Sequence, residues 1–312
     1  MIYVDVFSGF LGAGKTMLIK KMIEDGFYAE RIAIIENEFG EVSIDGAILR
    51  KTNTVVKEIN AGCICCQVTG DFKDSVLEVI ENYDVDRILI EPTGIAKLSE
   101  IKKALNDKTL KDKLKIDNLI SVVDGIKFNL YLNNFKAFFE DQIKGANVIV
   151  VSRTQNLSVS ELNDISGKIK KINARANIIT KSWYEANAKE LLSCINFKNS
   201  ITDKVILGRS SKGGVINKIE TNDVKFDTFA LKLNKEVSEG ELISKFNFIK
   251  SNTSYGNLVR AKGIIHLING ETKQFNYTLS ELTMDDISED SEGIISFIGV
   301  NLDKDKIIKF FL

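Results

Sequence analysis

Residues 9–16 read Gly9-Phe10-Leu11-Gly12-Ala13-Gly14-Lys15-Thr16, directly behind an apolar run, Tyr3–Phe7, and leading into a helix-period stretch, Lys15–Glu24. A G-x-x-x-x-G-K-[ST] pattern between a strand and a helix is the signature of a phosphate-cradling loop. The residue types follow from the task. Glycines let the backbone wrap closely around phosphate oxygens, and successive N–H groups converge at the helix N-terminus. Gly9, Gly12, Ala13 and Gly14 are expected to supply that backbone. Lys15 is placed to reach the β- and γ-phosphates, and the Thr16 hydroxyl to ligate Mg²⁺. A glycine-rich turn without a ligand is the bland alternative, and the flanking strand and helix weigh against it.

The next segments repeat the strand–helix alternation. Strands are expected over Tyr3–Phe7, Arg31–Ile35, Thr54–Ile59, Arg87–Ile90, Leu119–Val123, Val148–Val151 and Asn177–Thr180. Several are apolar at consecutive positions, as strands covered on both faces must be. Helical periods fall at Lys15–Glu24, Asp71–Glu81, Asn134–Ile143 and Glu161–Ile172. This pattern reads as an α/β fold with a doubly wound, mostly parallel sheet, a P-loop domain over residues 1–199. Residues 200–224 are polar and glycine-bearing and read as a linker. Residues 225–312 are expected to form a smaller α+β domain. Its strands would be Phe226–Leu233, Leu258–Ile268, Thr272–Leu279 and Gly293–Val300, and its helices Leu242–Ile249 and Lys304–Phe311. Asn269-Gly270 marks a hairpin and hence an antiparallel sheet.

Composition narrows the function classes. With 42 Lys and Arg against 43 Asp and Glu in 312 residues, no net field favours nucleic acid or an anionic membrane. The apolar runs are strand-sized, so no membrane span is expected. Met1–Phe7 lacks a basic region and carries Asp5 within its apolar run, so no secretory signal is expected, and the cysteine usage makes the cytoplasm the expected compartment. One histidine, His266, excludes a two-His metal site. Four cysteines, three of them within Cys63–Cys66, are too clustered for a disulfide framework.

Two further constellations carry chemistry. Glu91 ends the strand of Arg87–Ile90 and opens Glu91-Pro92-Thr93-Gly94, where an acidic group would orient Mg²⁺; Asp124 ends the next strand in the same way. The alternative for each is a carboxylate capping the following helix. Cys63-Ile64-Cys65-Cys66 follows Asn60-Ala61-Gly62, ahead of a helix expected to open near Thr69. Thiolates this close repel unless a cation neutralises them, and soft sulfur favours Zn²⁺ or another late first-row ion. Carboxylates to complete such a shell stand in Glu36-Asn37-Glu38-Phe39-Gly40-Glu41. An incomplete shell suits an ion that must be released. Buried or redox-active thiols are the alternative. Cys194, alone on an amphipathic segment, reads as core.

Together, Gly9–Thr16, Ile35–Glu41, Gly62–Cys66 and Glu91–Gly94 resemble the CobW-like metal-chaperone GTPases of the SIMIBI branch of P-loop GTPases. Phe226–Leu312, with Arg260-Ala261-Lys262-Gly263, is similar to that family's C-terminal domain. The resemblance implies GTP hydrolysis, with low intrinsic turnover, coupled to delivery of Zn²⁺ or Co²⁺ to a client metalloprotein or a corrinoid pathway. It implies Cys63, Cys65 and Cys66 as metal ligands, with Glu36 and Glu41 at acidic positions near the metal and the switch. Lys15, Thr16 and Glu91 would carry the hydrolysis.

The chain departs from the family at the base-reading segment. Where Asn-Lys-x-Asp is expected, Val148–Val151 leads into Ser152-Arg153-Thr154-Gln155. An aspartate accepts from guanine N1–H and from the exocyclic amine, whereas Gln155 has a single acceptor oxygen. The change costs on the order of 1–3 kcal/mol of guanine discrimination. Arg153 would replace the lysine that lies along the base, and the nucleotide is GTP with weakened preference, or ATP. Two other functions fit parts of the sequence. A nucleotide-switched metal sensor or activation scaffold would show negligible turnover. A small-molecule P-loop kinase leaves Cys63–Cys66 without a role. The second domain would bind a client or pair two copies as a homodimer through a sheet edge.

Overall fold

The computed structural model describes residues 1–36, 54–58, 64–182, 225–233, 235–279, 281–287 and 292–312; for 54–58 and 64–71 it describes the backbone alone. The first sheet has seven strands, all parallel where paired: β1 (Ile2–Gly9), β2 (Ile32–Glu36), β3 (Thr54–Glu58), β4 (Arg87–Glu91), β5 (Leu114–Asp124), β6 (Val148–Ser152) and β7 (Asn177–Ile179). Their order is β3-β2-β4-β1-β5-β6-β7.

Continuous apolar runs make this possible, because alternate residues serve opposite faces. Ala33, Ile35, Ile88, Ile90, Ile149 and Val151 pack into one cluster. Their neighbours Ile32, Ile34, Leu89, Val148 and Val150 pack into another, with Leu18, Ile19, Met22 and Ile23 of helix α1 (Lys15–Glu24). The first face is covered by helices α2 (Ile64–Asn82), α3 (Leu98–Leu105), α4 (Phe128–Asn134), α5 (Lys136–Gly145) and α6 (Val159–Ile172). This is the doubly wound sheet expected.

The second sheet, order β11-β10-β9-β12-β8, is antiparallel throughout. Its strands are β8 (Phe226–Lys232), β9 (Asn257–His266), β10 (Thr272–Thr278), β11 (Glu281–Asp286) and β12 (Ile294–Val300), with helices α7 (Glu239–Ser251) and α8 (Lys304–Phe311). One face packs Ala261, Ile265, Phe275, Ile295 and Phe297 against Phe246 of α7 and Phe311 of α8. The other face joins the first domain: Phe226 and Val259 belong to its core, and the Phe226 ring lies 5.0 Å from Phe138 and 5.8 Å from Phe135. The Asn269-Gly270 turn links β9 to β10 as expected, with Gly270 at φ +85°.

Several elements differ from expectation. The helix after the cysteine cluster opens at Ile64, not near Thr69, which puts Cys65 and Cys66 in its first turn. Nothing in Cys-Cys-Gln-Val breaks a helix; the apolar period simply becomes visible further on. Helices α3 and α4 are too short for a clear period, and the expected Asn134–Ile143 helix is α5, displaced to Lys136–Gly145. Strand β11 carries Glu281, Asp285 and Asp286 and lies at the sheet edge, where charges are tolerated and the apolar pattern is weak. The expected linker (200–224) lies outside the described residues.

Candidate functional site

Gly9, Glu36, Glu58, Glu91, Asp124 and Ser152 are each the last residue of their strand, so the six line the carboxyl edge of one parallel sheet. The chain order reverses at β1, with β4, β2 and β3 on one side and β5, β6 and β7 on the other. In open α/β sheets the crevice outside the strand ends at such a reversal is where ligands bind.

The loop from Gly9 to Thr16 rises from this point. Gly12 and Gly14 have φ of +69° and +98°, a left-handed region that favours glycine, and Gly14 caps the N-terminus of α1. Phe10 and Leu11 anchor the loop from below. Both are buried, and the Phe10 ring lies 4.6 Å from Tyr131 and 5.1 Å from Phe135. Tyr131 also donates its hydroxyl to the Leu11 carbonyl at 3.3 Å, and burial holds that phenol well above its ordinary pKa.

Lys15 is buried and donates from Nζ to the Gly9 carbonyl at 3.2 Å, folded across the loop it belongs to. The Thr16 hydroxyl donates to Glu91 Oε1 at 2.8 Å. Glu91 is only 4% exposed. A hydroxyl and a carboxylate meeting beside a phosphate-type loop are hard oxygen donors that fit Mg²⁺. Register then extends the acidic edge, because Glu36 on β2 aligns with Glu91 on β4 and with Glu58 on β3. Glu58 went unread as a site residue because it closes an ordinary strand pattern.

The metal motif is only partly described. Cys65 and Cys66 occupy the second and third positions of α2, while Cys63, Glu41 and Cys194 lie outside the described residues. His266 is on β9 of the second sheet, its Nδ1 3.0 Å from Thr272 Oγ1.

At the far side of the crevice, Ser152 is buried and its hydroxyl faces the Val123 carbonyl at 3.4 Å. Arg153 has φ +59°, and a short 3₁₀ turn, Thr154–Asn156, carries Gln155 to the surface. The Arg153 guanidinium lies between Asp124 and Glu281, with Nε 3.5 Å from Asp124 Oδ2 and Nη1 3.4 Å from Glu281 Oε2. Asp124 therefore holds the Arg153 loop and also the turn ahead of α4, where its Oδ1 accepts from the Lys127 backbone at 3.1 Å without capping the helix.

Lys127, Thr278 and Glu281 are absent from the sequence reading. Lys127 is buried and donates from Nζ to Thr278 Oγ1 at 2.9 Å, across the two domains. Burial pulls its ammonium below the ordinary lysine pKa, and Asp124 opposes that pull. A lysine three positions after a strand-end aspartate was the one available signal.

The family model for the CobW/HypB/UreG nucleotide-binding domain matches residues 3–180. The zinc chaperone YjiA of Escherichia coli K12 is 32% identical over 185 residues, 57% of this chain and 57% of that protein, so the match spans a little over half of this relative's length. The zinc chaperone CobW of a Sinorhizobium species is 26% identical over 289 residues, 83% of this chain and 79% of its own. Among solved structures, Zn(II)-bound YjiA GTPase from E. coli superposes with a TM-score of 0.48 at 22% identity, covering 99% of this chain and 98% of that one.

Proposed function

The chain belongs to the CobW/HypB/UreG family, whose nucleotide-binding domain model matches more than half of it, and from that premise we infer that it is a metal-binding P-loop GTPase. In this reading nucleotide hydrolysis drives delivery of a transition metal, Zn²⁺ or Co²⁺, to a client metalloprotein or a corrinoid pathway. Names of relatives support the metal: YjiA and CobW are zinc chaperones.

One observation carries the coupling. Glu91 accepts from Thr16 at the phosphate loop and stands in register with Glu36, the first residue of the acidic segment Glu36–Glu41. The Mg²⁺ position and the metal motif would thus be served by adjacent strand ends of one sheet. Lys15 and the Gly9–Gly14 backbone would hold phosphate charge, and Thr16 and Glu91 would hold Mg²⁺, which neutralises charge when bound. Cys63, Cys65, Cys66, Glu36 and Glu41 would hold the cargo ion.

The test is anaerobic purification with elemental analysis, followed by GTP and ATP hydrolysis with each candidate ion. Stoichiometric Zn²⁺ or Co²⁺, lost in the Cys65→Ala, Cys66→Ala double variant, with turnover that responds to the ion, supports delivery. Metal binding with negligible turnover in the presence of ion and client would replace it with a nucleotide-switched sensor. No metal at all would end both.

A further inference from the structure

Two loops of the first domain would grip the two ends of a nucleotide, and both are touched by a single pair of residues on the second. Thr278 ends β10 and Glu281 begins β11, and the two are directly paired in the sheet. Thr278 reaches the phosphate side: it accepts from Lys127 Nζ at 2.9 Å, and its Cγ2 lies 3.5 Å from where a Cβ on Gly12 would stand. Glu281 reaches the base side through Arg153, at 3.4 Å. The contacts join up, because Lys127 N donates to Asp124 Oδ1 and Asp124 Oδ2 faces Arg153 Nε. A line therefore runs Gly12, Thr278, Lys127, Asp124, Arg153, Glu281, and it returns to the strand pair where Thr278 lies.

Such an arrangement matters more here than in a chain with a carboxylate at position 155. Gln155 sits on the exposed turn and offers no charge to the base. Arg153 is the cation of the segment, and its side chain is 35% exposed, half sheltered between two acids of different domains. Its backbone lies in the left-handed region, which sets the direction in which the side chain departs from the loop. An exposed ion pair adds little to stability by itself. Its effect is on where a long, flexible side chain is held, and a guanidinium held flat is suited to lie along a purine.

We propose that Glu281 is a positioning residue of the nucleotide site, acting from the second domain through Arg153, so that purine affinity in this chain depends on the docked β10–β11 pair. This rests on the reading of Gly9–Thr16 as a nucleotide loop. It extends that reading by giving the second domain a part in base recognition. It also makes the coupling reciprocal: whatever docking contributes to nucleotide affinity, nucleotide contributes to docking.

The experiment uses the full chain and a double-mutant cycle on dissociation constants for GDP, ATP and inorganic tripolyphosphate, each with Mg²⁺. The variants are Glu281→Gln, Arg153→Gln and the pair. Tripolyphosphate reports the phosphate loop alone and is expected to bind all four proteins within about twofold. Glu281→Gln is expected to weaken a purine nucleotide about three- to tenfold, and Arg153→Gln to make the second change nearly silent. Glu281→Asp should restore part of the loss. Additive effects, or equal loss of tripolyphosphate and nucleotide, would overturn the proposal by reducing Glu281 to a docking contact. A wild-type chain that binds tripolyphosphate but no purine nucleotide also overturns it, and failure to bind any of the three instead sinks the nucleotide reading itself.

Discussion

Thr16 donates its hydroxyl to Glu91 at 2.8 Å, a contact between residues 75 positions apart that joins the phosphate loop to the end of β4, the strand paired with β1 in the sheet. The two side chains are the hard-oxygen pair that would hold Mg²⁺ in the proposed reading. Replacing Glu91 with Gln keeps the shape and removes the charge that would orient Mg²⁺ and its waters. The expected result is hydrolysis slower by about two orders of magnitude and a Mg²⁺ requirement shifted to higher concentration. Lys15→Ala should instead abolish triphosphate binding. Steady-state hydrolysis across a Mg²⁺ titration separates these outcomes, and a Glu91→Gln enzyme with an unchanged Mg²⁺ profile would remove Glu91 from the site.

Gly94 illustrates a close approach hidden in a motif. A Cβ at this position would stand 2.5 Å from Leu11 N and 2.7 Å from Leu11 Cα, both backbone atoms of the phosphate loop. Backbone cannot swing aside as a side chain can, so Gly94→Ala must push the loop out of place. The expected cost is about 1–3 kcal/mol in denaturant unfolding. Nucleotide affinity should fall along with it, because in the proposed reading the displaced atoms belong to the cradle. An alanine variant with native stability and native affinity would show that the Glu91–Gly94 turn and the loop are not so tightly matched.

The contrast between these positions and others shows what the chain declares before it folds. Gly9–Thr16 was legible because each residue there answers to local geometry, a strand before it and a helix after. Runs such as Val148–Val151 were legible because burial on both faces leaves no polar positions. The helix around Cys65 and Cys66 starts earlier than its apolar period suggests, since the period becomes readable only further along the segment. Thr278 and Glu281 could not be read at all, and of Lys127 only its place three positions after Asp124 was visible. Their meaning lies in a contact spanning 151 positions between Lys127 and Thr278, and no local pattern encodes which lysine will meet which threonine.

At the opposite end of the sheet, Arg87 is shared among three acids. It contacts Asp5 and Asp117 at 3.0 Å each and Glu30 at 2.6 Å. Asp5 is 1% exposed, also accepts from Asn118 at 2.7 Å and Tyr28 at 3.2 Å, and burial raises its carboxyl above the ordinary 3.8 despite Arg87. Replacing Arg87 with Met strands a buried carboxylate, and the expected loss is about 3–5 kcal/mol at neutral pH. The sign with pH follows. An acid whose folded pKa is raised loses stability as pH rises through the unfolded and then the folded value. The penalty of Arg87→Met should therefore be largest at pH 7 and shrink on acidification, as Asp5 takes up its proton. Denaturant melts of both proteins between pH 4 and pH 7 check this, and a penalty that grows with acid would contradict it.

Base selectivity is the prediction on which the nucleotide assignment turns. Ser152 ends β6 at the carboxyl edge of the sheet and Arg153-Thr154-Gln155 follows it, with Gln155 exposed on the 3₁₀ turn, where a base-reading carboxylate would stand in the family. A glutamine oxygen accepts one of the two guanine donors, and its amide nitrogen faces a donor with another donor. A carboxylate accepts both, with charge assistance to each bond. Gln155→Asp should therefore raise the preference for GTP over ATP by about tenfold, the equivalent of roughly 1.4 kcal/mol. ATP affinity itself should stay put or fall slightly, since the new charge has no donor to meet on adenine N1. Competition binding of the two nucleotides to wild type and variant reads the ratio directly. A strong GTP preference already present in the wild type would mean that other groups read guanine, and an unmoved ratio in the variant would place base recognition away from this turn.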